Sequence, residues 1–175
     1  MPVYSPRYGQ LTGIATMAAS GHSDLNGDGD ALDLLVARFD PASETVDVFD
    51  AISHCSAIPL PTVMRGERVV TCVPESELGA DLNLDGDAVD IIAMSLDMTS
   101  GQQRSSDLAM DITATPKLIG AFAHVLVSEL KQSKDLNRDG DTQDEIVHRF
   151  DTTTGATANT ALEPYPLLSS AGWKA

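Results

Sequence analysis

The sequence predicts an all-β chain made of three repeats of about 55 residues, each a set of short antiparallel strands carrying an Asp-rich loop. Three observations lead there. An acidic ten-residue segment occurs three times, apolar runs rich in β-branched residues flank each copy, and no stretch shows a convincing helical period.

The acidic segment anchors everything else. Residues 24–33 read DLNGDGDALD, residues 81–90 read DLNLDGDAVD and residues 135–144 read DLNRDGDTQD, so seven of ten positions are identical throughout. The copies start 57 and then 54 residues apart. A glycine stands fifteen residues before each loop (Gly9, Gly66, Gly120), and Gly172 opens a fourth copy that breaks off after four residues. The units are therefore residues 9–65, 66–119 and 120–171, with 172–175 the start of an incomplete fourth.

Within a unit, a short apolar stretch follows the glycine: residues 69–73 read VVTCV and residues 122–127 read FAHVLV. A second stretch follows the loop, at 34–39, 91–96 and 146–150. Runs of five or six, bounded by turn residues, read as strands. Leu35, Ala37 and Phe39 fall on one face, matched by Ile92, Met94 and Leu96, while Arg38, Ser95 and Arg149 fall on the other, which reads as wet at its end. A shared aspartate (Asp40, Asp97, Asp151) then opens a turn that Gly101 and Gly155 close. The first copy has Glu44 in place of that glycine, which predicts a wider turn. Pro-containing segments lead to the next unit, and 52 to 57 residues leave room for three or four short strands, the size of a propeller blade.

Charge and composition exclude several classes. The 175 residues carry 26 acids against 11 bases, a net charge of −15, whereas a nucleic-acid or anionic-membrane partner demands a basic surface. No run approaches the ~20 apolar residues of a membrane helix, and the first ten residues lack a signal-peptide pattern. The three loops hold 12 of the acids, and without them the net charge would be −3.

Oxygen ligands at alternate positions are what a hard cation requires. In D-L-N-x-D-G-D-x-x-D the side chains at positions 1, 3 and 5 converge, glycine at position 6 permits a sharp turn, position 7 offers its carbonyl, and the last aspartate closes the shell. The expected ligand sets are Asp24, Asn26, Asp28, Asp30 and Asp33; Asp81, Asn83, Asp85, Asp87 and Asp90; and Asp135, Asn137, Asp139, Asp141 and Asp144. Such oxygens plus water suit Ca²⁺, with six to eight ligands at about 2.3–2.6 Å. Mg²⁺ keeps more water, and Zn²⁺ or Cu²⁺ would want nitrogen or sulfur. Metal-free Asx turns use the same residue types. Four carboxylates within ten residues, in register three times, favour three calcium sites. Glu75 and Glu129 lie six residues before their loops, where the first copy has Ala18; they could add a ligand, and the reading preferred is that they end a strand.

The first ten residues of the loop resemble EF-hand and dockerin calcium loops. Those continue into a helix with an acid at position 12, where this chain has Leu35, Ile92 and Ile146 in strands. Integrin-type propeller loops are more similar, although their last acid stands at position 9 rather than 10. The whole unit, from Gly9 to the end of the chain, resembles the calcium-loop propeller repeats of secreted bacterial proteins. That resemblance implies blade-like repeats and a secreted or cell-surface location.

No catalytic constellation is visible. His22, His54, His124 and His148 occupy unmatched repeat positions, Ser20 and Ser128 lack a nucleophile-elbow setting, and Cys55 and Cys72 are compatible with a disulfide or with two thiols. The expectation is a non-enzymatic, calcium-binding structural or adhesive repeat protein. Since each repeat needs neighbours and three blades cannot close a ring, it would belong to a longer parent chain or associate with its own copies in a ring or filament. A glycan or another protein is a possible ligand. The alternative is a non-catalytic fragment of an extracellular propeller enzyme, a hydrolase or lyase.

Overall fold

The computed structural model describes residues 11–16, 34–40, 43–49 and 61–164. The first acidic loop, with Asp24, Asn26, Asp28, Asp30 and Asp33, lies outside the described residues, as do Gly9, His22, His54, Cys55 and residues 172–175.

The chain is mostly β, and its sheets are antiparallel, as expected. Strands β1 (Leu11–Thr16), β2 (Leu34–Asp40) and β3 (Thr45–Phe49) pair in that order. Strands β4 (Val63–Arg65), β5 (Arg68–Pro74), β6 (Ile91–Asp97) and β7 (Gln102–Ala109) form a second sheet. Strands β8 (Lys117–Ile119), β9 (Phe122–Ser128), β10 (Glu145–Asp151) and β11 (Thr157–Leu162) form a third, with the same neighbour-to-neighbour order. Among the described residues the sheets do not close into a ring. Strands β4 and β8 precede Gly66 and Gly120 in sequence yet pair with the strands that follow, so each glycine sits in the first hairpin turn of its sheet.

Strand alternation explains the core. Along β5, Val69 and Val73 join Met94, Leu96 and Met98 in a cluster with Val36 of the first sheet. Val70 and Cys72, on the opposite face, join Ala93 and the third-sheet residues Ala123, Val125, Val127 and Phe150. The second sheet is thus covered on both faces, and the interior residues of β5 and β6 are all buried.

That stacking corrects the wet-face reading of Ser95. It is 1% exposed, and its hydroxyl donates to the Thr152 carbonyl of the third sheet at 3.3 Å. Arg38, at the matching position of the first sheet, donates to the Met98 carbonyl at 2.8 Å. Arg149 is exposed, with its guanidinium 4.7 Å from the centroid of the Phe122 ring.

The turns follow expectation in two sheets and depart from it in one. Asp97 accepts the amides of Thr99 and Ser100, Asp151 those of Thr153 and Thr154, and Gly101 and Gly155 take φ of 70° and 84°. The Glu44 turn is not wider: Asp40 pairs with Thr45 as Asp97 pairs with Gln102. Glu44 itself takes the left-handed angle, φ 55°, at the position where Gly101 and Gly155 take 70° and 84°.

Two helices of one turn each, α1 (Glu75–Leu78) and α2 (Glu129–Gln132), break the all-strand expectation. Four residues are too few to show a helical period in sequence.

Candidate metal centre

Each described acidic loop joins the two central strands of its sheet through one of these helices. Helix α1 ends on Gly79 and α2 on Ser133, both left-handed, and Ser128 caps α2 by accepting the Lys131 amide. The left-handed caps turn the chain back over the helix, so that its first residue meets the end of the loop. Glu75 N donates to the Asp90 carbonyl at 2.8 Å, and Glu129 N to that of Asp144 at 3.0 Å.

The side chains of these two glutamates organise the loops. Glu75 is 0% exposed; its Oε1 accepts the amides of Leu82 (2.6 Å) and Asn83 (3.2 Å), and its Oε2 that of Asp90 (3.1 Å). Glu129, equally buried, accepts Leu136 (2.5 Å), Asn137 (3.1 Å) and Asp144 (3.3 Å) in the same pattern. The preferred sequence reading, in which they merely end a strand, is therefore corrected. A buried carboxylate needs such donors, and the loop amides supply them. Their identical placement before both loops was the available signal, obscured by Ala18 in the first copy.

Inside the second loop, Asp81 accepts the amides of Asp85 and Gly86, Asn83 that of Asp85, Asp85 that of Asp87, and Asp87 that of Val89. The third loop repeats the pattern at Asn137, Asp139 and Asp141, while Asp135 accepts the amides of Arg138 and Gly140. Leu84 and Arg138 sit at φ 58° and 69°, and Gly86 and Gly140 at 110° and 106°. The last aspartates are held by asparagine amides, Asn83 to Asp90 at 3.0 Å and Asn137 to Asp144 at 3.2 Å.

These contacts bring carboxylate oxygens of Glu75, Asp87 and Asp90 within 4.8 Å of one another, and likewise Glu129, Asp141 and Asp144. Asp139, Asp144 and Glu163 make a further group. Asp87 and Asp141 thus bring their carboxylates, where the sequence reading expected their carbonyls, while Asp81 and Asp135 are not members of these groups and accept loop amides. Burial pushes Asp90 above the usual carboxylate range despite the Asn83 hydrogen bond, and Asp85, Asp87 and Glu75 push it the same way. Asp144 is raised by burial and by Asp139 and Glu163, whereas the Asp141 amide holds Asp139 down. Among the described residues, the ion pairs are Arg38–Asp47 and Arg68–Asp97, and neither reaches a loop carboxylate. The donor set is oxygen only, which fits a hard divalent cation. Such acidic groups are also common on proteins without an ion.

Neither protein-family models nor curated proteins give a match to this chain.

A carboxyl pair lies beside the third loop. Glu145 is hydrogen-bonded to Asp111 at the end of the second sheet, and this bond, with burial, pushes its pKa up to about 7. Asp111 is lowered: burial opposes, and the Glu145 and Thr113 hydrogen bonds prevail. His148 is buried with Nδ1 3.3 Å from the Ile146 carbonyl, and burial lowers its pKa. His124 is half-buried on β9. Among the described residues no helix is long and apolar enough to cross a membrane.

Proposed function

We propose that this chain is an extracellular calcium-binding structural repeat protein, with blade-like units whose acidic loops bind calcium and so fasten each sheet. The observation that carries this reading is the repeated construction of the second and third loops: in each, a wholly buried glutamate gathers the loop amides and two further carboxylates close in beside it. Mutual repulsion among those groups, with no basic side chain among the described residues ion-paired to them, favours uptake of a divalent cation. Glu75 and Glu129 join the proposed ligand sets beside Asp81, Asn83, Asp85, Asp87 and Asp90, and Asp135, Asn137, Asp139, Asp141 and Asp144.

A cation that binds only the folded chain stabilises it by mass action. In millimolar calcium, a site with a Kd near 10⁻⁵ M contributes about 2.7 kcal/mol, and several such sites rival the stability of a typical domain. Sites of that affinity stand mostly empty at cytosolic calcium levels, which is why a secreted or surface location is proposed. The alternation of covered sheet faces supports stacking against further units, in a longer chain or in another copy. Thermal unfolding with calcium and with chelator, followed by sizing, tests this. A Tm rise of 10 °C or more in millimolar calcium and a larger species are expected; identical Tm and size in chelator would refute it.

A further inference from the structure

We propose that the second acidic loop is completed by the third sheet: Gln132, on α2, is a positioning residue for the cation site of the loop at residues 81–90. This rests on the calcium reading above and adds a coupling between one loop and the neighbouring sheet.

Gln132 is 3% exposed, although glutamine is ordinarily a surface residue. Its Oε1 accepts the Ala109 amide of β7 at 2.8 Å, and its Nε2 donates to the Asn83 carbonyl at 3.4 Å. Asn83, also 3% exposed, donates Nδ2 to the Lys131 carbonyl of α2 at 3.2 Å. The Ser133 hydroxyl lies 3.5 Å from an Asp85 carboxylate oxygen, and Lys131 Nζ 3.4 Å from the Met110 carbonyl. One turn of helix from the third sheet therefore grips the loop and the last strand of the second.

The orientation of Asn83 carries the coupling. With Nδ2 held both by Asp90 of its own loop and by the Lys131 carbonyl of α2, the amide plane is fixed and Oδ1 is directed into the loop, where it accepts the Asp85 amide. A cation ligated by that oxygen polarises the amide and strengthens its N–H donation to α2. Linkage makes the effect reciprocal: docking of α2 tightens the cation, and the cation tightens docking of the third sheet. The third loop is an internal control. There Asn137 gives Nδ2 to Asp144 and to Glu163 at 3.1 Å, both in its own unit.

Calcium titrations of the full chain followed by two-dimensional amide NMR separate the loops, because Gly86 and Gly140 each report on their own. Gln132→Ala should raise the calcium midpoint at Gly86 about five- to tenfold and leave that at Gly140 within about twofold. Ser133→Gly, which suits the left-handed cap, should shift Gly86 in the same direction by less, and decides the matter if Gln132→Ala does not fold. Unchanged Gly86 midpoints in the folded variants, with calcium still binding, would overturn the coupling alone. No calcium-dependent shift at either glycine in the parent chain would instead overturn the calcium reading itself.

Discussion

The carboxylate of Glu75 accepts the backbone amide of Asp90, fifteen residues later, at 3.1 Å, from a position with no exposure to solvent. One side chain thereby ties the helix after β5 to the end of the acidic loop before β6. Glu75→Ala would strand three loop amides and open a cavity, a cost of about 3 kcal/mol. Glu75→Gln retains the shape and one acceptor, and should cost about half as much. Urea unfolding in chelator measures both without interference from metal.

Left-handed residues other than glycine make the opposite prediction. Glu44 closes its turn at φ 55°, and Leu84 holds φ 58° with 81% of its surface exposed. Glu44→Gly and Leu84→Gly should each stabilise the fold by about 1 kcal/mol, since strain is relieved and little packing is lost. Thermal melts of the single variants and the pair check this, and the two gains should add because the sites lie in different sheets.

The Glu145–Asp111 pair predicts a pH dependence with a definite sign. Glu145 holds its proton up to about 7 in the fold, against an ordinary value of 4.5. The folded chain thus binds more protons than the unfolded chain across that window, so this contribution is complete below 4.5 and is lost as pH rises through about 7. His148, lowered by burial, acts oppositely by costing stability as pH falls below its ordinary 6.5. The difference between the parent chain and Glu145→Gln cancels the histidine. In calcium-free buffer that variant should gain stability relative to the parent between pH 5 and pH 8, as followed by urea unfolding.

Much of this was legible in the amino-acid pattern because repetition amplifies weak signals. The loops, the flanking strands and the Asp97 and Asp151 turns each rest on local residue chemistry recurring at fixed spacing. What escaped depends on contacts distant in sequence. Ser95 reads as a surface residue until the third sheet covers it. Gln132 occupies an unmatched position whose partners, Asn83 and Ala109, lie 49 and 23 residues away. Glu75 and Glu129 were visible as a coincidence of position, but burial gives that coincidence its meaning. Helices α1 and α2 were illegible for a simpler reason, being one turn long.

The most direct test of the central claim is a crystal structure grown in several millimolar calcium. It should show a strong ion peak in both loops, with oxygens of Asp90 and Asp144 among ligands at about 2.3–2.6 Å. Ordered water alone among those carboxylates, at that calcium concentration, would contradict it.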